Sequence, residues 1–104
     1  MSETTYGEIT KNGMSQLFSG LNMKNISFID LGSGKGNAMI YFKNLYPNAN
    51  VHGIELLKDR YEESIINCRD LGFTIINDNM FDIKFKPFNV FYISNLCFSD
   101  EMNN

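Results

Sequence analysis

The sequence predicts an open, mainly parallel α/β sheet of about four strands with flanking helices, and three observations carry that expectation. Short apolar runs of strand length alternate with segments whose apolar residues recur at helical spacing. Glycine-rich or polar residues stand immediately after each strand, where sheets of this kind bind ligands. The chain has 104 residues, 43% of them hydrophobic, with nine Phe and five Tyr, which allows a single domain with a core of its own.

Taken in order, residues 1–10 read as an irregular leader loop carrying Tyr6-Gly7-Glu8. Met14, Leu17, Phe18 and Leu21 are spaced for an amphipathic helix over residues 12–21. Residues 26–31 form the nearly continuous apolar run of a buried parallel strand and end at Gly32-Ser33-Gly34-Lys35-Gly36. Ala38, Tyr41, Phe42 and Leu45 mark a second helix, stopped at Tyr46 because Pro47 disfavours helical backbone in the residue before it. Residues 51–55 read as a second strand. Leu57, Tyr61, Ser64, Ile65, Cys68 and Leu71 outline a third helix, with Lys58 and Glu62 paired four apart and Gly72 as its C-cap. Residues 73–76 and 90–93 are the third and fourth strands. The alternation implies right-handed crossovers, with helices expected on both faces of the sheet.

Composition excludes several classes. A net charge of −3 leaves no electrostatic footprint for nucleic acid. No apolar run reaches the roughly 18 residues of a membrane helix, and the polar residues 1–5 lack the layout of a secretion signal. Two cysteines, Cys68 and Cys97, and one histidine, His52, do not make a metal site, so none is expected. Free thiols without a signal point to an intracellular setting, nuclear or cytoplasmic. His52 reads as a packed, neutral strand residue, and Tyr41, Tyr46 and Tyr61 as core or surface aromatics.

The glycine run admits three nucleotide readings. A phosphate-cradling loop ending at Gly34-Lys35 would need glycine where Ile29 stands and a hydroxyl where Gly36 stands, so it fails twice. The dinucleotide fingerprint fails once, because its third glycine falls on Asn37. Asp30-Leu31-Gly32-Ser33-Gly34-Lys35-Gly36 survives as a site for a zwitterionic amino-acid tail, since an acid directly before the glycines suits a cation better than a phosphate. Glu55, 25 residues after Asp30 at the tip of the second strand, can accept both hydroxyls of a ribose. Lys35 reads as a solvent-facing residue of the first helical turn.

Asp30 to Gly36 resembles the first motif of class I, Rossmann-like S-adenosylmethionine-dependent methyltransferases. The whole set resembles one family more narrowly, the disruptor-of-telomeric-silencing (Dot-one) histone-lysine methyltransferases. Tyr6-Gly7-Glu8 stands where that family's leader loop folds over the methionine end of the cofactor. Asn37 takes the place of the family's usual Gln. Residues 51–55 look like its second strand, with Glu55 as the ribose acid. Asn95, followed by Phe98, resembles the asparagine that faces the methyl donor and the target lysine. The family's Gly-Asp-Phe, which holds adenine, is here Asp78-Asn79-Met80. Ungapped, Asn79 takes the acid's place and Met80 that of the Phe; a slip of one residue restores Asp78.

The resemblance covers the chain as one domain, 1–104, and implies S-adenosyl-L-methionine as cofactor. Tyr6, Glu8, Asp30, Gly32, Gly34, Gly36, Asn37, Glu55, Asp78, Asn79 and Met80 would bind it, and Asn95 would be catalytic. It also implies a protein substrate, a histone or another lysine-bearing protein. Two alternatives stay open: another class I methyltransferase, or an inert cofactor-binding remnant. Class I enzymes resemble seven-stranded sheets, so a chain with four strands is expected to be a C-terminally truncated piece. Its fourth strand would then be covered by an oligomeric partner or by the missing half.

Overall fold

The computed structural model describes residues 9–82, 84 and 87–93. Its centre is a parallel sheet of four strands: β1 (Ser27–Leu31), β2 (Asn50–Glu55), β3 (Thr74–Asn77) and β4 (Val90–Tyr92). The strand order is β3-β2-β1-β4, so the chain steps outward from β1 to β2 and β3, then returns to the other side of β1. The winding therefore reverses beside the carboxyl end of β1, where the glycine run begins.

Among the described residues, three α-helices accompany the strands: α1 (Lys11–Phe18), α2 (Asn37–Leu45) and α3 (Lys58–Asn67). Thr10 caps α1 by accepting the Gly13 N–H at 2.9 Å. α2 ends at Leu45 with Tyr46 as its C-cap, immediately before Pro47, where the sequence predicts the stop. The Tyr46 hydroxyl donates to the carbonyl of Phe18 and accepts the N–H of Leu21, fastening the chain after α1 to the end of α2. Alternation along the strands turns Phe28, Val51 and Val90 to one face, where they meet Met14, Ala38, Met39 and Phe42 in the main core. Phe28 and Phe42 stack at 4.0 Å between ring centroids, and Phe18 meets both edge-on.

The sequence predicts helices on both faces, but the α-helices among the described residues lie on one. All three pack on the face just described. The crossovers β1–α2–β2 and β2–α3–β3 step across the sheet in the same direction, so right-handedness places α2 and α3 together. Only the return from β3 to β4 must pass the second face, and it contributes Met80 and Phe88 against Ile29, Leu31 and Ile54.

The third helix is also shorter than predicted. It ends at Asn67 with Cys68 as C-cap, and the following turn contains a left-handed Asp70 and Gly72. Gly72 thus closes the turn after the helix rather than capping it. The expected apolar stripe is thin, since Leu57, Ile65 and Leu71 are exposed and the buried residues are Ser64 and Cys68. Small side chains there let α3 lie close to the glycine run. Among the described residues, no helix is long and apolar enough to cross a membrane.

Candidate functional site

The site grows from the last rungs of β1, β2 and β3. Beyond Leu31 the chain folds back on β2, and the N–H groups of Gly32 and Ser33 both donate to the Ile54 carbonyl, at 2.8 and 3.0 Å. Gly36 opens α2 with φ of 99°, a left-handed conformation that a side chain resists. A Cβ at Gly36 would also lie 2.6 Å from Cys68 Sγ, so the loop rests directly on α3. Burial pushes the Cys68 thiol up to about 11, which leaves it a packing group. Asn67 holds the loop from the same helix, its Nδ2 donating to the Lys35 carbonyl at 3.0 Å. The Lys35 side chain itself is exposed, as the sequence predicts.

Glu55 is the electrostatic centre. The residue is only 4% exposed, and a buried carboxylate is costly unless hydrogen-bonded. Oε1 accepts the N–H of Gly34 at 2.7 Å and Oε2 accepts the N–H of Leu57 at 3.0 Å. One side chain thus joins the glycine loop to the turn that starts α3. An ionised carboxylate offers about four lone-pair positions, so both oxygens keep capacity for further donors such as hydroxyls.

Asp30 is fully buried and pairs in register with Gly53 of β2 and Tyr92 of β4. Because side chains alternate, Asp30 shares a face with Gly53 and therefore with Glu55, two residues nearer the tip. Both acids point to the side on which the glycine loop and the helices lie. Asn37 is the first residue of α2, half-buried.

Asp78, Asn79 and Met80 follow β3 directly. The Asp78 N–H donates to the Glu55 carbonyl at 3.2 Å. Asp78 Oδ1 accepts the Asn79 N–H, and Asn79 Oδ1 accepts the Phe81 N–H, which starts a single 3-10 turn over Met80–Asp82. The Asn79 carbonyl is thereby engaged locally and its amide hydrogens are the groups it has to offer. Met80 leans on the second-face cluster rather than toward the helices.

The structure thus gathers Asp30, Gly32, Gly34, Gly36, Asn37, Glu55, Asp78 and Asn79 at one end of the sheet, with Met80 beside them. Tyr6, Glu8 and Asn95 lie outside the described residues. Three further contributors escaped the sequence reading. Gly53 has no room for a side chain, since a Cβ there would sit 2.6 Å from Met39 Sδ and 2.9 Å from Ser33 Cβ. A glycine inside a strand is a recognised sign of such close approach. Ser33 is buried with its hydroxyl unpartnered among the described residues, a group that a polar ligand would satisfy. Asn77, on the last rung of β3, donates to the carbonyls of Glu55 and Leu56; nothing in its spacing marked it. Leu56 and Leu57 add an exposed apolar rim beside Glu55.

Comparison with known proteins yields matches in families and folds. A family model described as histone methylation protein DOT1 matches residues 1–67. No curated protein matches the sequence. Solved structures with the same fold include an RNA methyltransferase from Salinibacter ruber in complex with S-adenosyl-L-homocysteine. It has 20% identity and a TM-score of 0.63, over 80% of this chain and 55% of that one. A protein-L-isoaspartate O-methyltransferase gives 16% identity and a TM-score of 0.62 over 77% of this chain and 26% of its own. The plantazolicin methyltransferase BpumL, in complex with S-adenosylhomocysteine, gives 18% and 0.58 over 77% and 30%. The chain therefore spans between 26% and 55% of the length of these three. At these identities the likeness establishes the fold, that of the class I methyltransferases.

Proposed function

The chain belongs to the family of histone methylation protein DOT1, and from that premise we propose that it is an S-adenosylmethionine-dependent protein-lysine methyltransferase domain acting on a histone. The observation that carries the cofactor reading is the buried Glu55 carboxylate bound to the Gly34 N–H at the sheet's switch point. It sets a hydroxyl acceptor beside the backbone of the loop at Gly34, where no side chain intervenes. The remaining acceptor capacity of Glu55 suits ribose hydroxyls. Asp30, on the same face, supplies negative charge for a ligand whose ammonium and sulfonium are both positive. The amide of Asn37 lies at the start of α2, within the same end of the sheet, and Tyr6 and Glu8 would close over the methionine end. The NH2 of Asn79 can donate to a ring nitrogen of adenine, and the second oxygen of Asp78 can accept its amino group. Met80 and the Leu56–Leu57 rim provide apolar cover.

When bound, the cofactor supplies an electrophilic methyl group on sulfur. What falls to the protein is alignment and a neutral amine. A lysine of ordinary pKa, held neutral at pH 7.4, costs about 4 kcal/mol. An apolar channel lowers that cost by disfavouring the ammonium, and fixed geometry lowers the barrier further. No histidine or cysteine base is required. Asn95 would accept a hydrogen bond from the amine and orient its lone pair. The family resemblance gives Asn95 that role, and the same resemblance favours a lysine acceptor. The neighbours of similar fold carry names spanning RNA, protein isoaspartate and plantazolicin, so the acceptor is a reading of the family and not of the fold.

Calorimetry with S-adenosylhomocysteine tests the cofactor. Transfer of labelled methyl to nucleosomes, free histones and a metabolite mixture tests the acceptor. Label on histone lysine that disappears in Asn95→Ala, with S-adenosylhomocysteine still bound, is the expected result. Label confined to the metabolites would overturn the histone reading, and no heat on titration would overturn the cofactor reading.

A further inference from the structure

We infer that Asn77 is a positioning residue for the cofactor pocket, acting through Glu55; the inference rests on the cofactor reading above. Asn77 is the residue in register with Glu55 on the last rung between β3 and β2. From that place its Nδ2 reaches across the rung and donates to two successive carbonyls, Glu55 at 2.8 Å and Leu56 at 3.1 Å. The Asp78 N–H donates to the same Glu55 carbonyl at 3.2 Å. The last residue of β3 and the residue after it therefore hold the turn from which the carboxylate projects.

The same turn is closed from within, because Glu55 Oε2 accepts the Leu57 N–H. Once the backbone of residues 55–57 is fixed on both sides, the remaining oxygen has a defined place. It lies 2.7 Å from the Gly34 N–H. Order thus passes from β3 through Asn77 to the β2 tip, and from Glu55 to the glycine loop after β1. The ligand crevice uses the tips of all three strands, and this side-chain link joins the Gly32 and Ser33 N–H bonds to the Ile54 carbonyl in setting them relative to one another.

The amide suits this task for a chemical reason. It places two N–H hydrogens on one atom, enough for two carbonyls, and it brings no charge next to the Glu55 carboxylate. Aspartate has the same shape but would face two carbonyl oxygens with a third acceptor. Alanine would leave the Leu56 carbonyl to solvent and free the turn.

Asn89 provides an internal comparison. Its side chain makes a similar double clamp, accepting from the Ser27 N–H at 2.8 Å and donating to the Asn25 carbonyl at 2.7 Å. That clamp lies at the opposite, amino-terminal end of β1. A loss of general stability is shared by both residues, whereas an effect on the pocket belongs to Asn77 alone.

The experiment measures two quantities on the full chain: affinity for S-adenosylhomocysteine by calorimetry, and amide hydrogen exchange at Gly34 and Leu57 without ligand. Asn77→Ala is expected to weaken binding about tenfold, equivalent to about 1.4 kcal/mol, and to speed exchange at both amides. Asn77→Asp should exceed it in both, while Asn89→Ala should lower the melting temperature and leave affinity and those two amides unchanged. Unaltered exchange at Gly34 and Leu57 in Asn77→Ala overturns the inference, as does equal weakening by Asn89→Ala. If the unmodified chain takes up no S-adenosylhomocysteine, the cofactor reading falls on that result. The exchange measurement then separately upholds or removes the link from Asn77 to Glu55.

Discussion

Replacing Gly53 by alanine adds one carbon atom at a point where three structural layers meet. The new Cβ would lie 2.6 Å from Met39 Sδ, 3.1 Å from Met39 Cε and 2.9 Å from Ser33 Cβ. Met39 is fully buried in α2, so its thioether has no route to solvent. Ser33 belongs to the glycine loop, so relief on that side means lifting the loop. Overpacking of this kind costs about 1–3 kcal/mol. Against it stands a gain of about 0.4–1 kcal/mol from the stiffer unfolded chain. The midpoints of these ranges leave a net loss of about 1.3 kcal/mol, which lowers the melting temperature by roughly 5–10 °C for a domain of this size. Gly20→Ala is the natural control, because nothing lies within 4 Å of its Cβ; it should melt at or slightly above the unmodified temperature. Met39→Ala removes the side chain that the new carbon meets, so the double variant should lose less than the two single losses combined. A coupling of about 1 kcal/mol is expected in that cycle. Gly53→Ala melting with the unmodified protein, or strictly additive losses in the cycle, would refute the claim that β2, α2 and the glycine loop share this contact.

Three further outcomes follow, two from the site and one from the second face of the sheet. Glu55→Gln turns an NH2 toward either the Gly34 or the Leu57 N–H, leaving one buried donor unsatisfied at a cost of about 1–3 kcal/mol. Urea unfolding should show that loss together with weaker S-adenosylhomocysteine binding, and unchanged unfolding would contradict the fastening role. Gly36→Ala meets both a φ of 99° and Cys68 Sγ at 2.6 Å. Adding Cys68→Ala should recover only the steric part of the lost melting temperature; full recovery would show that the left-handed backbone costs nothing. Burial holds the His52 imidazole below its ordinary 6.5, so the folded state prefers it neutral and the unfolded state binds its proton first on acidification. Stability from this group is complete above pH 6.5 and declines as pH falls through the depressed folded value. Melting temperature should drop between pH 7 and 5.5, and His52→Gln should flatten that slope; an equal slope in the variant would assign it to other groups.

What the chain announced and what it hid divide along physical lines. β1 and β2 were legible because burial on both sides favours nearly continuous apolar runs, as in Phe28 to Leu31 with Asp30 the one interruption, and because Pro47 and the glycine run stop their neighbours sharply. The position of Glu55 followed from the rule that ligands meet strand tips, and the structure sets it at such a tip, bound to the loop after the adjacent strand. The third helix was overrun because Leu71 looked like one more apolar repeat. Its exposure shows that apolar residues recurring at helical spacing do not by themselves mean burial, and the close approach of Cys68 to Gly36 needed small residues there instead. Asn77 was unreadable for a different reason. An amide at a strand end serves equally as a turn residue, a surface residue or a clamp, and only the register with Glu55 decides which.

That register changes what the acid after β2 means. From spacing alone, Glu55 is a ribose-binding carboxylate waiting for its ligand. In the folded chain it is already occupied on each oxygen by a backbone N–H, from Gly34 and from Leu57. A buried carboxylate with no ligand would otherwise be a standing cost to the fold, and these two donors offset that cost while leaving lone pairs for hydroxyls. The arrangement also fixes Gly34, so the loop that would receive the amino-acid end is set by the residue that would receive the sugar. Two parts of one ligand would then be held by a common support, and their separation would be set before binding. Preorganisation of this kind reduces the ordering cost of association, and it follows from hydrogen bonds that the protein makes by itself.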